Sequence, residues 1–348
     1  MVEAQRVEIP CERKPGRVHS FFALKFHDGD EDREKVEAIE AALDKAGIDI
    51  TLMARDVEKW GEAEIPEGKT LMRDFAFPAM LQCDCNIIEF SEKGVGLGMN
   101  AGFCYAAGKP VYIIAKTGSD ISTTMTNVAE EVFFYDSPED LVEPFKKVVQ
   151  KFPRVILASS SQFRKLQLAE ARIPFEAIAS NADETPDDSK TYEEQLADIA
   201  MRKANVVFES TKDRGLRLIL AADQNIVFGS KMYGKPKNID EARNLLEEMS
   251  GSDEVYSYTG NAILLADGEK VLETINVTDK TRLSIDMLNE KELNDYLADE
   301  RCMSACGALI VDKNPFVHVV DGRLSTARGM TLELADELLA KFIKKLPS

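Results

Sequence analysis

Side chains that could bind a phosphate lie at a predicted strand-to-helix junction in the second half of the chain. The apolar run VILAS leads into Ser159, Ser160 and Ser161, and Arg164 follows within a turn. A helix N-terminus offers free N–H groups and the positive end of the helix dipole, so hydroxyls and a guanidinium there form an anion site. The alternative is that Ser161 only caps the helix.

Two lysines and an aspartate further along could complete such a site. Lys203 falls on an otherwise apolar helical face, where a lysine either points into a site or extends its ammonium group to solvent. Asp223 ends the apolar run LILAAD, and in open α/β sheets ligands lie beyond the carboxyl ends of strands. This position predicts a metal ligand or a base, unless Asp223 simply begins a turn. Lys235 lies in a GKP sequence that either belongs to the site or forms an ordinary β-turn.

A second set of candidate residues lies in the first half, around a glycine-rich segment. NIIEF predicts a strand that carries Glu89, GVGLGM predicts a loop with Gly94 and Gly96, and Asn100 opens a predicted helix. With VYIIA as the next strand, this order predicts a parallel βαβ unit. A plain tight turn is the alternative to a nucleotide-binding loop, because GxGxG is not the dinucleotide fingerprint.

The elements that must position these residues alternate between helices and strands, which predicts an α/β architecture with two domains. Residues 1–16 are predicted to be a polar tail. Residues 17–151 are predicted to form a Rossmann-like domain with a parallel sheet, and residues 154–346 a second α/β domain. The boundary is placed near residues 152–153, where the run KKVVQKFPRVILAS passes from a predicted helix into a new strand.

Composition and charge exclude several classes of protein. Apolar residues make up 44 % and charged residues 30 % of the 348, as in soluble globular proteins. No apolar run reaches the roughly 20 residues of a membrane helix, and the N-terminal residues include no apolar signal region, so a cytoplasmic protein without membrane contact is expected. The net charge of −18 repels nucleic acids. Six scattered cysteines without CxxC spacing and three dispersed histidines do not predict a zinc site.

Motifs of the second half resemble one family over about 190 residues. In order, this half contains ILASSSQFRKLQLAEARIPFEAIASNADETP, LADIAMRKA, LILAADQ, YGKPKNIDEARNLLEEMSG and YTGNAIL. These runs resemble the Maf nucleotide pyrophosphatases. The resemblance implies an elongated Maf/ITPase-like α/β domain with a central cleft, usually in a homodimer. It also implies an enzyme that hydrolyses a nucleoside triphosphate to the monophosphate and pyrophosphate with Mg²⁺ or Mn²⁺.

The resemblance also assigns roles to individual residues. The implied site consists of the phosphate ligands Ser161 and Arg164, the triphosphate clamps Lys203 and Lys235, and the acids Asp223 and Glu184, which would hold the metal ion or activate water. The physical chemistry agrees, because cations directed at the attacked phosphorus stabilise the charge that its oxygens gain in the transition state. A pyrophosphate leaving group needs no protein nucleophile.

Three further residues bear on which nucleotide is used. Gln224 follows the site aspartate and Phe163 precedes the site arginine, which resembles the YceF-like branch that favours 7-methyl-GTP. Asp312 falls near that branch's C-terminal glutamate. The alternatives are a dTTP/UTP pyrophosphatase, whose branch has Thr at position 224, and a sensor that binds nucleotide without turnover. The stretch 305–333 departs most from the family, with Ala305 in place of Lys or Cys and GMTLE in place of GLPL.

The first half resembles the nucleoside 2-deoxyribosyltransferase superfamily, which also includes nucleotide N-glycosidases. The resemblance rests on the run CDCNIIEFSEKGVGLGMNAGFCYAAGKPVYII. Glu89 keeps the acid at the strand end, but Asn100 or Gly98 occupies the position of the carboxylate nucleophile. We therefore interpret this domain as one that binds a nucleotide or supports a dimer. N-glycosidase activity is the alternative.

Overall fold

The structure is a computed structural model that describes residues 14, 16–27, 30–171, 173–311 and 314–343. The chain divides into two compact units, Met1–Phe152 with Pro347–Ser348, and Pro153–Leu346. Each unit contains its own β-sheet flanked by helices, which confirms the predicted two-domain α/β fold. Most of the predicted polar tail lies outside the described residues.

The N-terminal unit is built on a five-stranded parallel sheet in the order β2-β1-β3-β4-β5. Its strands are β1 (Val18–Ala23), β2 (Ile48–Thr51), β3 (Cys85–Glu89), β4 (Val111–Lys116) and β5 (Glu131–Tyr135). Its α-helices are α1 (Asp30–Ala46), α2 (Met53–Asp56), α3 (Phe77–Gln82), α4 (Val95–Ala106), α5 (Thr123–Thr126) and α6 (Val142–Gln150). A π-helical segment (Leu71–Ala76) and two 3-10 turns (Lys59–Gly61 and Pro138–Leu141) complete it.

Both faces of this sheet are buried. Successive side chains of a strand point to opposite faces, and Ile87 and Ile88 accordingly belong to two different core clusters. Ile113 and Ile114 of the neighbouring strand divide in the same way. A parallel sheet covered on both faces produces the continuous apolar runs from which these strands were predicted.

The segment GVGLGM is not a loop, and that prediction was wrong. Gly94 occupies the N-cap position of α4, and the helix already includes Gly96 in its first turn. The reason is tertiary packing. Leu97, Ala101 and Cys104 are buried at helical spacing against the sheet, and this burial outweighs the low helix propensity of glycine.

The C-terminal unit is built on a seven-stranded mixed sheet in the order β12-β11-β10-β8-β6-β7, with β9 paired to β8. Its strands are β6 (Arg154–Leu157), β7 (Glu176–Ala177), β8 (Arg217–Phe228), β9 (Lys231–Tyr233), β10 (Val255–Asp267), β11 (Lys270–Ile285) and β12 (Val317–Asp321). Its α-helices are α7 (Gln162–Glu170), α8 (Tyr192–Ser210), α9 (Ile239–Met249), α10 (Glu290–Leu297), α11 (Leu324–Ala327) and α12 (Glu333–Ile343). Two 3-10 turns span Glu300–Ser304 and Cys306–Ala308.

Strand β8 is longer than the sequence predicts. The predicted strand ends at Asp223, whereas the observed strand continues through five further residues that pair with β10. Asp223 therefore lies in the middle of a strand, neither at its carboxyl end nor at a turn. Gln224 and Asn225 are polar and gain little from hydrophobic burial. Their pairing with β10 stabilises the strand conformation at these two positions.

A glycine lets helix α8 lie close to the sheet beside Asp223. Gly260 is the residue of β10 that pairs with Asp223. A Cβ atom at Gly260 would lie 2.3 Å from the backbone carbon and oxygen of Leu196 in α8. Only a residue without a side chain permits this approach, which also brings the next turns of α8 close to β8.

Among the described residues, every helix is too short or too polar to cross a membrane.

Candidate active site

A cavity of about 370 Å³ lies in the C-terminal unit. Among the residues that line it are eight of the nine predicted in this half of the chain. They are Ser161, Phe163, Arg164, Glu184, Lys203, Asp223, Gln224 and Lys235. The ninth, Asp312, lies outside the described residues. The cavity thus brings together side chains from α7, α8, β8 and two loops.

Arg164 is a buried cation in the wall of the cavity, with 9 % of its surface exposed. Its Nε donates to the carbonyl oxygen of Gly329 at 2.8 Å, and Nη1 donates to Ser159 Oγ at 3.2 Å. Burial lowers its pKa. Within the part of the chain that the structure describes, no carboxylate lies within salt-bridge distance of this guanidinium. A buried charge without a paired charge is costly, so an anionic ligand would be stabilised here.

The serines before α7 leave a hydroxyl for a ligand. Ser161 occupies the N-cap position, yet in the described structure its side chain makes no capping hydrogen bond. Its N–H group instead donates to Ser159 Oγ at 3.1 Å. Ser159 thus holds both Ser161 and Arg164, a positioning role that the sequence did not reveal, although Ser159 belongs to the same SSS run.

Lys203 joins the two acids of the cavity. Its Nζ lies 2.6 Å from Asp223 Oδ1 and 3.1 Å from Glu184 Oε1. The Lys203 side chain is only 8 % exposed, so its ammonium group points into the site and does not extend to solvent. Asp223 is 14 % exposed, whereas Glu184 lies in an exposed loop at 60 %. Asp223, Lys203 and Glu184 thus come from a strand, a helix and a more accessible loop.

Lys235 and Phe163 also line the cavity. Lys235 is exposed and lies in the irregular segment between β9 and α9, so the described structure does not show the ordinary β-turn that was the alternative. Phe163 is half-buried, and it packs against the apolar cluster that includes Ile226 and Ala327. An accessible ammonium group and an apolar ring on one cavity suit a ligand that is anionic at one end and aromatic at the other.

Gln224 is held by the protein itself. Its Nε2 donates to Ser257 Oγ and to the carbonyl oxygen of Ala327, both at 2.8 Å. The two amide protons are therefore used within the protein, although the sequence predicted that this side chain would contact the substrate. Its direct structural role is to connect β8 and β10 to the segment that carries Ala327.

That segment, residues 323–331, forms a wall of the cavity that the sequence did not identify, and we call it the C-terminal strap. Ala327, Arg328 and Gly329 line the cavity. Gly329 has a φ of +104°, and a Cβ atom there would lie 3.0 Å from Gln224 Oε1, so both conformation and space favour glycine. Gln167 Nε2 donates to two carbonyl oxygens of the strap at 2.9 and 2.7 Å. The departure from the family pattern at GMTLE is the sequence feature that could have drawn attention to this region.

Cys306 is a second residue that sequence reasoning missed. It lines the cavity, and its thiol donates to the backbone oxygen of Gln224 at 2.9 Å. Burial raises its pKa to about 11. The thiol is therefore neutral at physiological pH, which suits a structural hydrogen-bond donor better than a nucleophile.

The candidate residues of the N-terminal unit are only partly brought together. Glu89 is buried at the end of β3, with Lys35 Nζ at 2.7 Å and the hydroxyl of Tyr135 at 3.1 Å. Ser91 also donates to this carboxylate. Gly94 and Gly96 lie at the start of α4, and Asn100 is buried one turn later. Within the described residues, Glu89 is thus satisfied by partners other than the predicted glycines and Asn100.

Four cationic side chains and two carboxylates thus line a cavity beside the mixed sheet among the described residues. The family model described as Maf-like protein matches residues 154–342, more than half of the chain. The chain belongs to this family.

Named relatives agree with the predicted enzyme class. The dTTP/UTP pyrophosphatase of Pelotomaculum thermopropionicum is 30 % identical over 190 residues, which cover 54 % of this chain and 96 % of that protein. A dTTP/UTP pyrophosphatase of Bacillus cereus is 33 % identical over 192 residues, covering 54 % of this chain and 95 % of its own. At the general level of a nucleotide pyrophosphatase, a hydrolase of acid anhydrides, the prediction is confirmed.

Solved structures similar to the chain include two nucleoside-processing proteins. A 2-deoxyribosyltransferase from Bacillus psychrosaccharolyticus matches 35 % of this chain and 90 % of its own, at 18 % identity and a TM-score of 0.27. A CMP N-glycosidase from Clostridium botulinum matches 37 % and 99 %, at 12 % identity and a TM-score of 0.28.

Proposed function

We propose that the C-terminal unit hydrolyses dTTP and UTP to the monophosphate and pyrophosphate. The observation that carries this proposal is the buried guanidinium of Arg164, which faces the cavity without a paired carboxylate among the described residues. The phosphate chain of a nucleotide would supply the missing negative charge. The names of the Maf relatives support pyrimidine triphosphates as the substrates.

The remaining polar groups fit the hydrolysis of a phosphoanhydride. Lys203 and Lys235 supply positive charge for the triphosphate, and the hydroxyl of Ser161 can donate to a phosphate oxygen. Asp223 lies on a rigid strand and can accept the proton of the attacking water. Ser161, at the start of α7, and Asp223, within β8, are in place before the substrate arrives, so these two groups need little reorganisation in the transition state.

The two acids also fit a divalent cation. Mg²⁺ in nucleotide enzymes is held by one or two carboxylates together with substrate phosphates and several waters. Asp223 and Glu184, both in contact with the same ammonium group, provide this donor set, and Mn²⁺ accepts the same oxygen ligands. When bound, the metal ion would neutralise phosphate charge and polarise a phosphoryl oxygen.

The two candidate substrates differ in the charge of the base. 7-Methylguanine is cationic and would be stabilised by an acid beside the ring. Among the described residues that line the cavity, the acids are Asp223 and Glu184, and both contact Lys203. Phe163 supplies an aromatic face that would suit 7-methyl-GTP, but the amide protons of Gln224 are already used. Asp312, the acid that the 7-methyl-GTP branch would use, lies outside the described residues, so the choice of a pyrimidine substrate rests on the names of the Maf relatives.

The test is turnover with a panel of nucleotides. Purified protein with Mg²⁺ is incubated with dTTP, UTP, GTP and 7-methyl-GTP, and pyrophosphate and monophosphate are measured. We expect the highest kcat/KM for dTTP and UTP, and a loss of at least about 100-fold in Asp223→Asn, of the order seen when one electrostatic group of a site is removed. Asp253→Asn, at an exposed loop carboxylate that is not among the cavity residues, is the matched control and should keep full activity.

Two outcomes would change the proposal. A higher kcat/KM for 7-methyl-GTP than for dTTP would move the enzyme to the other branch. Nucleotide binding without pyrophosphate release on any substrate would replace the enzyme with a sensor.

We also propose that the N-terminal unit binds a nucleotide and that the protein forms a homodimer. Release of a free base from a nucleotide would establish N-glycosidase activity, and its absence with retained binding would support a ligand-binding unit. Sedimentation velocity measures the oligomeric state, and a monomer at all concentrations would contradict the dimer.

A further inference from the structure

Lys203 occupies the place where a divalent cation would be expected to neutralise the two acids. Its ammonium nitrogen lies within 3.1 Å of both carboxylates, closest to Asp223 at 2.6 Å. The flexible aliphatic chain leaves α8 from a buried apolar face, so the nitrogen can shift within the cavity but is shielded from bulk solvent. Without a ligand, one protein cation therefore satisfies both candidate metal ligands.

The charges around the cavity argue against entry of a metal ion by itself. Among the described residues, four cationic side chains and two carboxylates line it. The cations are Arg164, Lys203, Lys235 and Arg328, the last of which contacts Glu170. A lone divalent ion would increase an existing positive excess and would lie next to the Lys203 ammonium group. A nucleoside triphosphate has the opposite effect, because its phosphates bring several negative charges.

We propose that Lys203 excludes divalent cations until the nucleotide enters, so that metal and nucleotide are loaded together. The incoming phosphates draw the ammonium group away from Asp223 and Glu184, and the freed carboxylates become metal ligands. Lys203 thus exchanges one set of anionic partners for another, and no covalent bond changes. This inference rests on the proposed function, since it assumes a triphosphate substrate.

The experiment measures Mn²⁺ binding to the full chain by the loss of the free-ion EPR signal. Wild type is titrated with Mn²⁺ alone and with Mn²⁺ plus an α,β-imido analogue of dTTP, which resists cleavage. Asp223→Asn measures binding to surface acids. We expect wild type without nucleotide to match Asp223→Asn, and to gain one saturable site only with the analogue. A tight site in wild type without nucleotide would overturn the proposal.

Two matched variants distinguish the effect of the position of the Lys203 ammonium group from the effect of its positive charge. Lys203→Met keeps a linear apolar chain and removes the ammonium group. Lys235→Met removes the same charge from the same cavity, but Lys235 has no ion pair with either acid in the described structure. We expect Lys203→Met to bind Mn²⁺ without nucleotide at least about 10-fold more tightly than wild type, and Lys235→Met to change the affinity less than about 3-fold. Equal affinities of the two variants would overturn the proposal.

A second variant and a separate activity assay complete the experiment. If Lys203→Met does not fold, as judged by its thermal unfolding, Lys203→Gln and the wild-type titration give the same test. Pyrophosphate release is measured separately, so an active enzyme that binds Mn²⁺ tightly without nucleotide would refute the role of Lys203 and leave the proposed function standing. An inactive protein that gains its metal site only with the analogue would support the role of Lys203 and refute the proposed function.

Discussion

Replacing Gly260 with alanine should disturb the site without touching any charged group. The added Cβ atom would lie 2.3 Å from the backbone of Leu196 and 2.7 Å from the amide nitrogen of Ala197. Ordinary contacts need about 3.5 Å, so α8 would have to move by about 1 Å away from β10. Backbone atoms cannot rotate aside as the end of a flexible side chain can.

The shift has two consequences that can be measured. Overpacking of this kind costs about 1 to 3 kcal/mol of folding free energy. Lys203 lies two turns beyond Leu196 on the same helix and contacts Asp223, the partner of Gly260 in the neighbouring strand. A misplacement of about 1 Å can lower turnover by about 100-fold, so we expect a fall in kcat of that order.

The assay combines urea unfolding with steady-state pyrophosphate release. Gly215→Ala is the matched control, because its Cβ would meet only Asp267 Oδ1 at 3.9 Å, an ordinary contact. The control should keep wild-type turnover and stability within about 0.5 kcal/mol. Wild-type turnover and stability in Gly260→Ala would refute the reasoning, because they would show that α8 does not depend on the absence of a side chain at this position.

Four further substitutions or conditions test other parts of the structure. Arg164→Lys keeps the charge but loses the planar fork that holds Gly329, so KM for the nucleotide should rise about 10-fold in steady-state kinetics, and an unchanged KM would contradict a phosphate contact. Gln224→Leu should lower stability by about 1 to 2 kcal/mol in urea unfolding without altering the preference between dTTP and 7-methyl-GTP; a changed preference would show contact with the base. Burial raises the pKa of Cys306 from 9.0 to about 11, so its alkylation by iodoacetamide should be slow at pH 7 and accelerate towards pH 11. The stability contributed by the neutral thiol should be fully present below about pH 9 and be lost as the pH rises from 9 to 11. Rapid alkylation at pH 7, detected by mass spectrometry, would contradict this. Glu89→Gln should lower stability by about 1 to 2 kcal/mol in urea unfolding, because a neutral amide oxygen accepts the hydrogen bonds of Lys35 and Tyr135 less strongly than the carboxylate does, and an unchanged midpoint would show that these contacts contribute little.

The sequence predicted the cavity better than the strand that carries its central acid. Ser161, Arg164, Lys203 and Asp223 do line one cavity. The resemblance to the Maf family grouped them, because the local patterns alone left a helix cap, a solvent-exposed lysine and a turn as alternatives. The position of Asp223 within β8 was missed, since the residues after it are polar and their strand conformation comes from pairing with β10. The hydrophobic periodicity of one segment contains no information about its hydrogen-bond pairing with another strand.

Contacts between distant segments account for the other differences. The role of Gln224 depends on a hydrogen bond to Ala327, 103 residues away, and the strap could not be placed from the sequence of residues 323–331 alone. The helical state of Gly96 similarly depends on the burial of Leu97 against the N-terminal sheet. In each case a local preference is outweighed by packing that only the folded chain supplies.

The hydrogen bond between Arg164 and Gly329 also sets the order of events during synthesis on the ribosome. The two residues are separated by 165 positions, so the cavity wall cannot close until the strap has emerged. The N-terminal unit is nearly continuous in sequence up to residue 152 and can complete its contacts while the rest is still being translated. A nucleotide that needs the complete cavity wall would stabilise this unit by mass action only once the strap has joined the rest of the fold.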